Sequence, residues 1–185
     1  MSAPGTWREA DGSAVRWADA EAAWALDARE VLLGVARVYR AVITYKELAA
    51  EVQQRSGVHT RSGLQNWIGG VLERVAQDCA RRGEPQFTAL CARQDGTVGD
   101  GYAGAIEGTR GVRPKDADEH AAAERLECHR FFGADLPADG GSPALTEQVV
   151  ARRRRALPTP EPRPATLCPT CFTEMPLNGR CDTCE

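Results

Sequence analysis

Hydrophobic positions recur at helical spacing through much of the first 81 residues. From Trp17 to Arg40 the chain is rich in alanine, and its apolar residues follow a period of about 3.6 residues. A second stripe begins at Tyr45, and a third, the clearest in the chain, runs from Leu64 to Cys79. Apolar residues at this spacing form one face of a helix that packs against a core. The pattern therefore predicts three amphipathic helices.

The starts of the second and third helices carry capping signals. Thr44-Tyr-Lys-Glu47 has the form of a capping box, in which the hydroxyl and the carboxylate each satisfy a backbone N–H group. Ser62-Gly-Leu-Gln65 has the same form and predicts a third helix that begins there and ends near Arg81.

After the third helix, the sequence pattern becomes typical of β-strands. The run Phe87–Arg93 is typical of a strand, Asp95-Gly96 favours a type I′ turn, and Thr97-Val98 begins a return strand. We call this predicted hairpin the wing. The order of these elements predicts a winged helix-turn-helix that is mainly α with a small β-hairpin. That order is helix, short strand, helix, turn, helix and hairpin.

The rest of the chain divides by composition. Residues 103–115 read as a loop, residues 116–132 as a helix, and a last short helix runs from Leu145 into Arg155. Four prolines that alternate with other residues then indicate an extended linker. The predicted organisation is a flexible arm at 1–16, a winged-helix domain at 17–103, a helical extension at 104–155, a Pro-rich linker at 156–167 and a zinc-binding knuckle at 168–185.

The most specific chemical signal is a set of four cysteines near the end of the chain. Cys168 and Cys171 form one Cys-x-x-Cys pair, and Cys181 and Cys184 form another. Four thiolates at this spacing can surround one tetrahedral Zn²⁺ and leave no open position for water. One structural zinc ion is predicted, and a redox dithiol pair or disulfides are the alternatives.

Charge and composition limit the possible functions. The net charge is −3, with −5 in residues 1–150 and +2 in residues 151–185. A strongly basic nucleic-acid-binding domain is therefore excluded, and any such contact must come from local patches. The N-terminus lacks the apolar run of a signal peptide, and the cysteine pattern suits a reducing compartment, so we expect a cytoplasmic protein. Cys79, Cys91 and Cys128 are predicted to be buried apolar residues.

Local patches suggest nucleic-acid contacts. In a helix-turn-helix the second helix enters the major groove, and Gln and Asn side chains can read adenine there. The alternative for these positions is an ordinary solvated surface. The candidate residues are Arg61, Gln65, Asn66, Arg74 and Arg93 in the first domain, and Arg152, Arg153, Arg154 and Arg155 in the extension.

No set of catalytic residues is evident in the sequence. Cys128 and His129 are neighbours on a predicted helix, where their side chains point about 100° apart and do not easily form a dyad. No Ser/His/Asp set or Gly-rich phosphate loop stands out. We therefore expect a protein that is not an enzyme.

The stretch from Ile43-Thr-Tyr-Lys-Glu-Leu-Ala49 to Asp95-Gly-Thr-Val-Gly-Asp-Gly-Tyr102 resembles the winged-helix domain of DNA alkyltransferases and alkyltransferase-like proteins. The family's nucleophile lies in a Pro-Cys-His-Arg motif, and here Thr88-Ala-Leu90 stands where Cys-His-Arg would be. The resemblance implies the fold and a DNA-facing surface, but not methyl transfer. The chain also resembles, more distantly, bacterial proteins that join such a domain to a zinc knuckle.

Two main functional hypotheses follow, and an enzyme that uses Cys91 or Cys128 is a third alternative. The first is a non-enzymatic protein that binds nucleic acid, with double-stranded DNA as the expected ligand, and holds one structural zinc ion. The second is a protein-interaction adaptor that uses the zinc knuckle as a docking module.

Overall fold

The computed structural model describes residues 5–156, 168, 170–172 and 184. The chain divides into two compact units, Met1–Arg153 and Arg154–Glu185. The described part is mainly helical with a small β content. Its elements in chain order are β1 Thr6–Arg8, α1 Trp17–Ala36, β2 Ile43–Thr44, α2 Tyr45–Ser56, β3 Val58–Thr60, a 3-10 helix Leu64–Asn66, α3 Ile68–Arg82, a 3-10 helix Phe87–Leu90, β4 Cys91–Ala92, α4 Gly101–Arg110, α5 Ala117–Phe131 and α6 Glu147–Ala156.

The core of the first unit forms where the apolar faces of α1, α2 and α3 pack together, as the three apolar stripes in the sequence predict. Trp24 of α1 is completely buried, and its ring centroid lies 4.5 Å from that of Trp67. Its indole N–H donates a hydrogen bond of 2.8 Å to the carbonyl of Val58. The largest aromatic side chain of the core is thus both packed and satisfied in its polar atom.

The predicted start of α2 is confirmed. Thr44 Oγ1 accepts a hydrogen bond from the backbone N–H of Glu47 at 3.2 Å, and Glu47 Oε2 accepts one from the N–H of Thr44 at 2.8 Å. These two bonds satisfy two N–H groups that lack acceptors within the helix. The helix ends at Gly57, whose φ of 62° suits a residue without a Cβ.

The start of α3 differs from the prediction. Ser62 does not cap a helix; its hydroxyl lies 3.3 Å from the side-chain nitrogen of Asn66, which donates to it. A short 3-10 helix comes first, and Trp67 then has a φ of −138°, outside the helical range. Because Trp67 is buried against Trp24, its packing interrupts the helical backbone, and α3 begins only at Ile68.

An antiparallel pair of strands occupies part of the expected flexible arm. Strand β1 pairs with β3, with Thr6 opposite Thr60 and Arg8 opposite Val58. Thr6 is buried, and its hydroxyl donates to the carbonyl of Val15. Residues 6–8 are therefore part of a sheet, which the polar composition of the segment did not indicate.

The predicted wing was wrong in its pairing. Residues Phe87–Leu90 form a 3-10 helix, and the short strand β4 pairs in parallel with β2. The tight turn at Gly96 is present, and the Arg93 N–H donates to the Thr97 carbonyl at 2.7 Å. No return strand follows within the described residues, since the N–H of Val98 donates instead to Asp118 Oδ1 at 2.9 Å.

Residues 103–115 were expected to form a loop, and this prediction was wrong for most of the segment because α4 spans Gly101–Arg110. Its buried residues, Tyr102 and Ile106, pack against Ala121 of α5. The predicted α5 is confirmed, and Asp116 caps it by accepting from the N–H groups of Asp118 and Glu119. The last short helix is also confirmed, as α6.

Candidate functional site: a glycine-lined cleft and a cysteine cluster

A cleft of about 960 Å³ opens between α3 and α4. The start of α2, both 3-10 helices and the turn after β4 also contribute to its lining. Because α4 was not predicted, this cleft was not predicted either. Its volume is in the range of small-molecule binding sites.

Glycines line both helical walls, most densely on α4. Gly69 of α3 and Gly101, Gly104 and Gly108 of α4 line the cleft, and a Cβ at any of them would meet no atom within 4 Å. A glycine within a helix costs about 1 kcal/mol relative to alanine. Since the packing of the protein does not require these glycines, the space beside them is available to a ligand.

Thr88 provides an unsatisfied polar group on the cleft. It lines the cleft from the 3-10 helix Phe87–Leu90 and is only 5% exposed. Its Oγ1 is buried and has no hydrogen-bond partner within the described part of the chain. A buried hydroxyl without a partner costs about 1–3 kcal/mol. A ligand with a matching polar edge would remove this cost.

Two tyrosines hold the cleft in shape with neutral side chains. Tyr45 accepts a hydrogen bond of 2.9 Å from the N–H of Gly99, and burial raises its pKa to about 12. The Tyr102 hydroxyl lies 2.9 Å from His120 Nδ1, and burial raises the pKa of this phenol too. Charged residues on the lining carry both signs, with Lys46 and Arg93 against Glu73 and Asp100. The cleft therefore suits a neutral polar ligand better than a strongly charged one.

The residues that were predicted to contact nucleic acid lie partly on this cleft. Gln65 lines it and is exposed, and Asn66 is exposed beside it. Arg61 stands 5.3 Å from the centroid of the Trp7 ring as a cation–π pair. These three side chains remain available to a partner.

The other predicted cations of the first unit have acidic partners. Arg74 lies 3.4 Å from Glu21, and Arg93 lies 2.5 Å from Asp100. Arg152 and Arg153 form ion pairs within the unit. The partners of Arg152 are Asp95 and Asp118, and those of Arg153 are Asp116 and Glu119. Arg154 and Arg155 belong to the second unit, where they are exposed on α6. The expected cationic patch is thus largely neutralised within the first unit.

Three cysteines cluster in the second unit and could hold a metal ion. The Sγ atoms of Cys168, Cys171 and Cys184 all lie within 4.8 Å of one another, and those of Cys168 and Cys184 are 3.9 Å apart. Ligand sulfurs of a tetrahedral zinc site are separated by about 3.8 Å, which follows from metal–sulfur distances of about 2.3 Å. The predicted fourth ligand, Cys181, lies outside the described residues.

The remaining cysteines are buried, as predicted. Burial raises the thiol pKa of Cys79, Cys91 and Cys128. Cys128 contacts the carbonyl of Gln86, whereas Nδ1 of the adjacent His129 donates to the carbonyl of Ala36. The two neighbouring side chains on α5 therefore contact different segments of the chain.

Comparisons with known protein families, curated proteins and solved structures give no match for this chain. Within the described residues, no helix is both long and apolar enough to cross a membrane.

Sequence reasoning missed the cleft but contained one signal for it. Gly101, Gly104 and Gly108 are spaced by three and four residues, so they share one face of a helix. The sequence distinguishes Thr88 only by its position, where the alkyltransferase family has a cysteine.

Proposed function

We propose that this chain is a non-enzymatic nucleic-acid-binding protein and that the cleft between α3 and α4 receives an unpaired base. The buried Thr88 hydroxyl, which has no partner in the described residues, carries this proposal. A base offers donors and acceptors along its edges, and one of these would satisfy Thr88 Oγ1. A base is also neutral, which suits a cleft whose lining charges balance.

The walls of the cleft favour a flat ligand that is attached to a backbone. Gly104 and Gly108 leave open space on the α4 side, and Gly69 does so on the α3 side. Glycine permits the close approach of another backbone, because it has no side chain. Extruding a base costs a few kcal/mol, and this cost is lowest for a mismatched or unpaired base. Duplexes with an unpaired base are therefore the expected preferred ligands.

The resemblance to alkyltransferase-like proteins supports binding without transfer. Thr88 stands where the family has its cysteine nucleophile, and a hydroxyl without an adjacent base is a weak nucleophile. Cys91, the nearest cysteine in sequence, is completely buried, and burial raises its pKa. Neither residue favours covalent chemistry at this site.

The contact to the duplex would use α2 and α3 as a helix-turn-helix without a wing. Gln65 and Asn66 precede α3 and are exposed, and Arg61 precedes both. Since Arg74 and Arg93 already have acidic partners, phosphate contacts are few. Affinity should therefore fall less steeply with salt than for a protein that makes many phosphate contacts.

Fluorescence anisotropy with a duplex that carries one unpaired base tests the proposal. We expect the full-length protein to bind this duplex about tenfold more tightly than the fully paired duplex of the same sequence. Gly104→Leu, which fills the cleft, should abolish the preference. Equal affinity for the two duplexes, or no binding to either, would overturn the proposal.

Gly34 provides a matched control for the cleft-filling variant. It lies within α1, does not line the cleft, and a Cβ there also meets no atom within 4 Å. Gly34→Leu should keep the preference for an unpaired base. Both substitutions replace a helical glycine with a better helix former, so neither is expected to lower stability.

A second candidate is the protein-interaction adaptor, which the internal ion pairs favour. Arg152 and Arg153 meet acidic residues around the start of α5 instead of remaining available for phosphates. Under this proposal the cysteine cluster orders a docking surface. A stoichiometric partner that co-purifies after nuclease treatment, together with no binding to either duplex, would select the adaptor.

We propose in addition that the cysteine cluster is a structural metal site. Cys168, Cys171 and Cys184 would hold one Zn²⁺ with Cys181 as the fourth ligand. Thiolate ligands alone leave no position for a reactive water, so the metal would order the tail and take no part in a reaction. We also propose a cytoplasmic location, where thiols stay reduced.

A further inference from the structure

A second cavity lies on the first unit, away from the glycine-lined cleft. Its volume is about 330 Å³, and its lining comes from the segment after α1, from α5, from the segment between α5 and α6, and from the start of α6. None of its lining residues belongs to the first cleft. Three independent features of this cavity concern charge and unsatisfied polar groups.

The first feature is Arg125, a buried cation that has no acidic partner among the described residues. It is 5% exposed, and no carboxylate within the described residues lies at ion-pair distance. Two of its N–H groups donate to the carbonyls of Ala89 and Ala144. A guanidinium has five N–H donors, so others remain for a ligand. Arginine is almost never fully buried unless it is paired, which makes this position unusual.

The second feature is the ring of His129, which lines the same cavity and is 2% exposed. Its Nδ1 donates to the carbonyl of Ala36 at 2.8 Å, so in the neutral ring Nε2 carries the lone pair. Nε2 is buried and has no hydrogen-bond partner in the described part of the chain. Burial lowers the pKa of this histidine, which favours the neutral ring.

The third feature is the positive character of the cavity's edge. Arg40 lines it with a φ of 63°, a left-handed conformation that is unfavourable for a residue with a side chain. Thr146, Glu147 and Gln148 line it around the start of α6. Thr146 Oγ1 accepts from the N–H of Val149, whereas the N–H groups of Glu147 and Gln148, at the first two positions of the helix, have no intrahelical acceptors. Glu147 is the acidic residue of the lining, and its side chain is exposed.

We propose that this cavity binds a phosphate group. A phosphate monoanion offers oxygen acceptors to Arg125, to Arg40 and to the N-terminal turn of α6. Its P–OH group can at the same time donate to Nε2 of His129. Helix N-termini and arginines are the usual ligands of phosphate in proteins. The group can come from free inorganic phosphate or from a nucleotide, and the site does not depend on the proposed base-binding cleft.

Titration calorimetry of the full-length protein with inorganic phosphate, at constant ionic strength and neutral pH, tests the site. We expect saturable binding with a dissociation constant below about 1 mM. His129→Asn retains an N–H donor for the Ala36 carbonyl and removes Nε2, and Arg40→Gly removes a charge while it relieves the left-handed backbone. Each variant should weaken binding by about tenfold or more.

Arg37→Ala is the matched control, because Arg37 is exposed and lies outside the cavity. It removes one positive charge three residues from Arg40 and should leave the affinity unchanged. Absence of saturable binding to the wild-type protein would overturn the proposal, as would unchanged affinity in His129→Asn or an equal loss in Arg37→Ala. The melting temperature of each variant without phosphate shows whether it is folded.

A nucleoside monophosphate, titrated in the same way, distinguishes the two sources. Tighter binding than inorganic phosphate would assign the site to a nucleotide. Equal or weaker binding, with the same losses in the two cavity variants, would assign it to the free anion.

Discussion

Arg110 of α4 and Glu124 of α5 form a bidentate ion pair, with Nη1–Oε1 and Nη2–Oε2 distances of 2.6 and 2.8 Å. Glu124 is 7% exposed, and its Oε2 also accepts a hydrogen bond from the backbone N–H of Gln86. One carboxylate thus joins α4, a wall of the glycine-lined cleft, to the segment that leads into Thr88. We therefore expect this buried group to help position these two parts of the cleft.

Arg110→Met should destabilise the first unit. It leaves the Glu124 carboxylate buried and without its cationic partner, which we expect to lower the free energy of unfolding by about 1–3 kcal/mol. Urea denaturation measures the change. Arg113→Met is the control, because Arg113 pairs with Glu107 in an exposed bridge worth about 1 kcal/mol or less. Equal effects of the two substitutions would contradict the role assigned to Glu124.

The helix cap at Asp116 should make stability depend on pH. Its pKa is lowered mainly by the hydrogen bond from the Glu119 N–H, with a further contribution from Arg153. The charged form is therefore favoured in the folded protein, and this contribution is present above the unfolded pKa of about 3.9 and lost as pH falls through the lower folded value.

Asp116→Asn isolates this charge, because asparagine caps helices about as well as aspartate. The variant should be less stable than the wild type by at most about 1 kcal/mol at neutral pH, since the side chain is partly exposed. Denaturation at a series of pH values should show the difference disappearing in acid. A difference that does not depend on pH would contradict the assigned cause.

Metal binding by the second unit should depend on Cys168. Elemental mass spectrometry of the purified full-length protein is expected to show about one zinc ion per chain, consistent with a site made of four thiolates. Cys168→Ser should lose most of the metal, because serine does not supply a soft thiolate. Cys128→Ala, at a buried cysteine of the first unit, should retain it. Metal content that is unchanged in Cys168→Ser would contradict the assignment.

The buried cysteines of the first unit should resist alkylation. Burial raises the thiol pKa of Cys79, Cys91 and Cys128, and only the thiolate reacts readily. Mass spectrometry after iodoacetamide treatment at mildly alkaline pH should find these three residues unmodified in the native protein and modified in urea. Rapid native modification of Cys91 would instead favour an enzyme that uses this cysteine as a nucleophile.

Local sequence signals predicted those parts of the fold that depend on neighbouring residues. The capping box of Thr44 and Glu47 formed as expected, because both partners lie within one helical turn. The apolar stripe on α3 identified the face of that helix that packs in the core, although the predicted first residue of the helix was wrong. Cys-x-x-Cys spacing likewise brought Cys168 and Cys171 to one cluster, since two intervening residues limit how far the sulfurs can separate.

By itself, then, the sequence determined the helices with apolar stripes, the cap of α2 and the spacing of the candidate metal ligands. Tertiary structure alone decided that β4 pairs with the distant β2 and not with Thr97-Val98, because a two-residue strand has no local pattern that selects its partner. It also decided that the glycine-rich segment 101–110 is a helix, since the burial of Tyr102 and Ile106 offsets its weak helical propensity. The Thr88 hydroxyl and the Arg125 guanidinium, which lack a hydrogen-bond partner and an acidic partner respectively in the part of the chain that the structure describes, become buried only after distant segments pack around them, because burial is a property of the whole fold.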